Sequence, residues 1–297
     1  MENKKEKKGF WKTVKDHIMT IINGFIIGGT MLVPGVSGGT MAMLLGEYDR
    51  LLDAVGSFRK NMKKNIMFLL FMAVGGCLGL VAMAYPLSKL LEVIPNPVLF
   101  FFVGVIAGGI PCIIRESQIK KFSWKIPFDI IIGIACVMAI IFFMPNVTGF
   151  SGSWVYYIIL FIVGIFISVG LVLPGISTSH LLKVFGIHSV LMTAVKGFDL
   201  LFLGSLGLGA LIGIFLTTKG LDIVMKKFPQ RVYMIILGFV AGSLYQLFQP
   251  ERIENGEVEA GMVYDRLLQD LPFCIIALIL GFLAFWGLSK VEEKHNN

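Results

Sequence analysis

The chain has 297 residues, of which 56% are hydrophobic and only 15% charged, and its mean hydropathy is +0.82. A soluble domain carries about 25% charged residues, so this composition excludes an ordinary soluble enzyme or binding module and indicates an integral membrane protein. The net charge of +7 is spread between long apolar runs rather than gathered on one polar face. That distribution orients a membrane protein and argues against nucleic acid as a partner.

Residues 1–17 are a basic start containing Lys4, Lys5, Lys7 and Lys8. It has the charge of a signal peptide, yet no small-residue cleavage site follows, so a retained cytoplasmic terminus is expected. A bilayer core of about 30 Å needs roughly 20 apolar residues in a helix. Six stretches meet this requirement as predicted full spans: Met67–Tyr85, Pro97–Ile114, Ile126–Met144, Leu200–Thr218, Val232–Gln249 and Leu271–Ser289. Two further apolar regions, Ile18–Val55 and Trp154–Val195, are too long for one span. Each is cut in the middle, by Leu32-Val33-Pro34-Gly35-Val36-Ser37-Gly38-Gly39-Thr40 and by Val172-Leu173-Pro174-Gly175-Ile176-Ser177-Thr178-Ser179-His180.

The resulting plan is a first repeat over 18–115, a connecting span over 126–145, and a second repeat over 154–249. An acidic outer loop over 250–270 and a last span with a cytoplasmic tail over 271–297 complete it. Cys77, Cys112, Cys136 and Cys274 sit singly inside apolar segments, so neither a metal site nor a disulfide framework is expected.

Basic residues in short loops stay cytoplasmic. If both broken regions are re-entrant hairpins and the N-terminus is inside, only Lys89, Lys196, Arg252 and Arg266 lie outside, with Arg50 and Lys183 inside the hairpins. A single crossing by each broken region would export the Arg59–Lys64 cluster instead. The hairpin arrangement, with both termini cytoplasmic, satisfies the charge rule.

A repeat supports it. At a shift of 140, Pro34, Gly35, Ser37, Gly46, Leu51, Ala54 and Phe58 meet Pro174, Gly175, Ser177, Gly186, Leu191, Ala194 and Phe198. At a shift of 134, Gly79, Leu87, Pro95, Gly104, Ala107 and Gly108 meet Gly213, Leu221, Pro229, Gly238, Ala241 and Gly242. The intervening span inverts the second copy. The expected fold class is therefore an all-α polytopic membrane protein with six full spans plus two re-entrant helical hairpins arranged as inverted-topology repeats. That plan recurs in alternating-access transporters. Gly75, Gly76 and Gly79, and the run Gly204 through Gly213, are expected to be helix-packing surfaces.

Broken helices are tolerated in lipid only where protein or a polar cavity satisfies the freed backbone. Opposed hairpins would bring their tips together near the midplane. Ser37 and Ser177 stand at or near N-cap positions, and the first N–H groups of the helices that follow have no partner within the helix. Together with the helix dipole they suit an anion. Gly35, Gly38 and Gly39 permit close backbone approach, while the hydroxyls of Ser37, Thr40, Ser177, Thr178 and Ser179 add neutral donors. Phosphate is the anion that matches many N–H and O–H donors with little fixed charge. His180 is a tip position able to meet phosphate, and Lys183, Glu47 and Arg50 are candidate charge partners. Glu47 and Arg50 are three apart and can pair on a helix.

Pro34-Gly35-Val36-Ser37-Gly38-Gly39-Thr40 followed by Gly46-Glu47-Tyr48-Asp49, with the second Pro174-Gly175-Ile176-Ser177, resembles the bacterial and archaeal polyprenyl-phosphate transporter family over residues 18–289. The resemblance implies a flippase of the bacterial plasma membrane that returns undecaprenyl phosphate from the outer to the inner leaflet. It would recycle the lipid carrier for peptidoglycan and other envelope polymers, and the tip residues would hold the phosphate. No cofactor and no catalytic residue is implied; membrane lipids are the surroundings, and a homo-oligomer is compatible with the pattern.

The second tip departs from the glycine-richer family form at Thr178-Ser179-His180. Two alternatives are a small-anion carrier or channel, which the tips would serve equally well, and a membrane-embedded lipid phosphatase. Ser179-His180 faintly resembles the Pro-Ser-Gly-His element of the latter, but the companion Lys/Arg and Ser-Arg…His…Asp elements are missing.

Overall fold

The computed structural model describes residues 2–33, 35–59, 61–119, 123–143, 147, 153–250, 252–254, 257–259 and 261–296. Pro34 of the first break and Lys60, Lys120 and Lys121 of the charge pattern lie outside the described residues. Twelve α-helices are described: α1 (Glu2–Thr30), α2 (Gly38–Leu44), α3 (Tyr48–Gly56), α4 (Met62–Val93), α5 (Pro95–Glu116), α6 (Lys125–Phe143), α7 (Trp154–Val172), α8 (Thr178–Val184), α9 (His188–Gly197), α10 (Leu200–Lys227), α11 (Pro229–Leu247) and α12 (Leu267–Asn296).

Local signals set the helix starts. Ser153 caps α7 by accepting from the Val155 amide at 3.3 Å, and Asp199 caps α10 by accepting from Leu201 and Phe202. Pro95 and Pro229 open α5 and α11, where a missing N–H costs nothing. Pro86, by contrast, lies inside α4. The helices outrun the expected spans at several ends, α4 by eight residues beyond Tyr85. Hydropathy marks the segment immersed in lipid, whereas backbone hydrogen bonding continues into the interface.

Among the described residues, six helical segments are long and apolar enough to cross a membrane: Met62–Val93, Pro95–Glu116, Lys125–Phe143, Trp154–Val172, Leu200–Lys227 and Tyr264–Gly287. Five match expected spans. Trp154–Val172 joins them, and Val232–Gln249 does not, because α11 carries Gln230, Arg231 and Gln246 near its ends. α11 is instead among the most enclosed helices, with Val232, Tyr233, Met234, Ile236 and Val240 all buried. The fold is also not purely helical. Arg252–Glu254 (β1) and Glu257–Glu259 (β2) pair antiparallel within the acidic loop. Asn96, fully buried, anchors that loop by exchanging hydrogen bonds with the Val263 backbone in both directions at 2.9 Å.

The repeat is legible in the element bounds and in the glycines. Shifting α2 by 140 gives α8, and shifting the end of α4 and the start of α5 by 134 gives the end of α10 and the start of α11. The four left-handed glycines described, Gly35 and Gly46, Gly175 and Gly186, are two pairs at that same 140 shift.

Four helix pairs make the walls: α1 on α4, α7 on α10, α5 on α12, and α6 on α11. In each, glycine lets backbones touch. A Cβ on Gly79 would sit 2.0 Å from the Phe25 carbonyl oxygen, and its counterpart Gly213 is as tightly placed against Ser168 and Ile165. Gly104 meets Leu278 on α12 just as Gly238 meets Ile130 on α6. Each half thus packs its fifth helix against a helix from the other half. The expected glycine surface on α10 divides: Gly209 and Gly213 form the contact, while Gly204 and Gly207, on another face, meet nothing within 4 Å.

Candidate functional site

Each break begins where a long helix ends and a two-turn helix begins. In the first, Gly35 takes φ +75°, and in the second Gly175 takes φ +81°, a conformation that a Cβ would strain. Space forbids it too: a Cβ on Gly175 would stand 2.4 Å from the Phe239 backbone carbon, and one on Gly35 would crowd Leu247 and the Ser243 carbonyl at 3.1 Å. Both turns therefore rest on α11. The short helices fold back beside their long ones, α2 near Met31 of α1's end and α8 with Leu181 against Gly170 of α7.

Ser37 caps α2 by accepting from the Thr40 amide at 3.1 Å, and Ser177 caps α8 by accepting from the His180 amide at 3.5 Å. These caps occupy the third amide of each helix. The first two amides, of Gly38 and Gly39 and of Thr178 and Ser179, have no acceptor within their own helices. Both helices are only 7 residues long, so their dipoles are short and hydrogen-bond donors dominate the local electrostatics.

The two breaks meet. The Gly175 amide donates to Thr40 Oγ1 at 2.7 Å and to Ser37 Oγ at 3.2 Å, and the two hydroxyl oxygens are 2.8 Å apart. Gly39 lies so close to the Leu173–Pro174 backbone that a Cβ there would be 3.2 Å from Pro174 N. Ser37, Gly39 and Thr40 are buried and Gly38 is half-buried. Of the expected site residues in the second break, Ser177 is buried, Thr178 and His180 are half-buried, and Ser179 is exposed. The expected site residues thus fall into two groups. Ser37, Gly39 and Thr40 are sealed against Pro174 and Gly175, and Thr178, Ser179 and His180 lie on the more open side. Lys183, half-buried, follows on α8.

Glu47 is 8% exposed, accepts from Asn23 Nδ2 at 2.9 Å and pairs with Arg50 at 3.4 Å, as the spacing predicts. The Arg50 guanidinium also lies 4.0 Å over the Phe68 ring. The charge partners of the first half are therefore engaged with one another around α1, α3 and α4. Asn23, Tyr48 and Tyr233 complete the polar frame, and neither composition nor spacing marks them for it. Asn23 is a lone amide in an apolar run. The Tyr48 hydroxyl donates to the Val172 carbonyl at 2.8 Å, and the Tyr233 hydroxyl donates to Asp49 at 3.1 Å. The partners of the two tyrosines lie 124 and 184 residues away, beyond the reach of any local pattern. Among the described residues, no group of histidine, cysteine and carboxylate side chains is arranged to hold a metal.

Apolar helices of membrane-spanning length, arranged around two matched helix breaks that touch, define a multi-pass membrane protein with discontinuous helices, the build used by secondary transporters. The chain belongs to the undecaprenyl phosphate translocase-like family, whose model matches residues 27–263. It is 33% identical over 245 residues to a polyprenyl-phosphate transporter of Staphylococcus aureus, covering 77% of this chain and 86% of that one. To a polyprenyl-phosphate transporter of Vibrio cholerae it is 26% identical over 312 aligned positions, covering 94% of this chain and 98% of the other. No solved structure matches the chain. The family is named for transport rather than for catalysis.

Proposed function

We propose that the chain transports polyprenyl phosphate, specifically undecaprenyl phosphate, from the outer to the inner leaflet of the bacterial plasma membrane, returning the carrier for envelope polymer synthesis. The observation that carries this reading is the meeting of the two breaks, with the Gly175 amide on the Thr40 and Ser37 hydroxyls. It gathers a set of neutral donors from both halves where the helices are interrupted. An unpaired charge in hydrocarbon costs tens of kcal/mol by Born estimates, so a phosphate crosses only if protein donors replace its water. In this reading the breaks are re-entrant hairpins of inverted repeats, both termini are cytoplasmic, and rocking of one repeat against the other exposes the phosphate to each leaflet while the tail stays in lipid. The names of the two relatives support the substrate class.

The test is binding of undecaprenyl phosphate to purified protein, beside undecaprenyl diphosphate and inorganic phosphate, followed by return of surface-exposed lipid phosphate in vesicles. Preference for the lipid monophosphate is expected. Hydrogen bonds to a charged group are worth about 1.5–3 kcal/mol, so Ser37→Ala and Ser177→Ala should each weaken binding by roughly ten- to a hundredfold. Equal binding of inorganic phosphate would favour a small-anion carrier, and unimpaired transport by both variants would remove the breaks from the mechanism.

A further inference from the structure

The contact between the two breaks has a flank. Beside the bonds from Gly175 to Thr40 and Ser37, the Tyr48 hydroxyl donates to the Val172 carbonyl at 2.8 Å. Tyr48 is 4% exposed. Val172 is the last residue of α7, so its carbonyl is among those a helix leaves without an internal partner. The segment from Val172 to Gly175 is short, and tethering its start restrains the amide at its end.

The internal repeat shows whether the fold itself needs this tether. At the 140 shift, Tyr48 corresponds to His188 and Val172 to Leu32. Among the described residues no hydrogen bond joins His188 to Leu32, yet α8 and α9 form with nearly the bounds of α2 and α3. A tyrosine at this position is therefore not required to build the short-helix pair. What it does is tie the first half's returning arm to the second half's break. The bond from Gly175 that the Ser37 and Thr40 oxygens accept is also the kind of bond a phosphate oxygen would accept.

We propose that Tyr48 is a positioning residue: it latches the two breaks together, and a lipid phosphate opens the latch by taking the place of the Ser37 and Thr40 oxygens at the Gly175 amide. This rests on the transport reading above. A latch that must open before the ligand is fully bound lowers apparent affinity in proportion to the fraction of molecules open. Loosening the latch thus tightens binding, which a hydroxyl that merely stabilised the fold would not do.

The experiment uses the full chain in nanodiscs and compares wild type, Tyr48→Phe and His188→Phe. Amide hydrogen exchange is read at Leu173 and Gly175, with the segment around Leu99 of α5 as internal reference, and undecaprenyl phosphate binding is measured in the same samples. Tyr48→Phe is expected to speed exchange at Leu173 and Gly175 about fivefold with the reference unchanged, the counterpart of one net hydrogen bond. It should also bind undecaprenyl phosphate tighter by a similar factor, while His188→Phe changes neither. Unchanged exchange, equal acceleration in the reference segment, or weaker binding would overturn the latch. If wild type binds no undecaprenyl phosphate, the transport reading and the phosphate-driven opening both fall, and the exchange result alone decides whether Tyr48 holds the breaks together.

Discussion

Asn23, Glu47 and Arg50 are polar in the first half where the second half is apolar. Their counterparts at the 140 shift are Val163, Ile187 and Val190, and Val163 and Ile187 are 3% and 0% exposed. The same fold is thus built once with a buried amide and carboxylate and once with apolar side chains. Removing one partner of a buried polar pair costs about 1–3 kcal/mol, whereas replacing both with well-packed apolar groups is often nearly neutral. Asn23→Val alone should accordingly lower thermal stability in detergent by that amount. The triple change Asn23→Val, Glu47→Ile, Arg50→Val should restore it to within about 1 kcal/mol. If the triple variant is no more stable than the single one, the trio is structural in a way the second half conceals.

At this scale the sequence was partly legible. The Glu47–Arg50 pair follows from helical spacing, and the N-cap roles of Ser37 and Ser177 follow from their place before the short helices. The Gly175 bonds to Ser37 and Thr40 span 138 and 135 residues, and periodicity carries no information about contacts of that range.

At the scale of elements, glycine decides how closely the long helices approach. Gly79→Leu would drive a side chain into the Phe25 carbonyl, where the obstacle is backbone and cannot rotate away. Overpacking of this kind costs typically about 1–3 kcal/mol, and here α1 and α4 would have to separate. Gly204→Leu on α10 meets open space and gives that helix the leucine its counterpart α4 carries at Leu70, so it should leave stability unchanged. Comparing the unfolding midpoints of the two variants checks the assignment. Apolar composition alone did not separate the faces of α10. A glycine used for packing and one left bare have the same hydropathy, and only the neighbouring helix distinguishes them. α11, expected as a span, has polar residues near both ends and a middle buried inside protein, and hydropathy does not distinguish that burial from burial in lipid.

For the molecule as a whole, the arrangement of the walls matters more than any single contact. α11 lies beneath both breaks, touching Gly35 through Ser243 and Leu247 and Gly175 through Phe239 and Val240. It also reaches the first half through the bond from Tyr233 to Asp49 and the ion pair of Arg231 with the buried Asp129 of α6 at 2.9 Å. A helix so placed would transmit a shift of either break to the other.

The exchange of wall helices between halves has a further consequence, for biosynthesis. The glycine seam of α5, at Gly104 and Gly108, is filled by α12, a helix of 30 residues. That seam must therefore wait, after α5 has left the ribosome, until α12 has been made. A polypeptide ending at Gln249 should for this reason be damaged near its beginning: limited proteolysis would open sites around α5 first and leave α7 with α10 resistant. An early helix that depends on one more than 150 residues downstream makes translation through α12 a condition for closing the bundle.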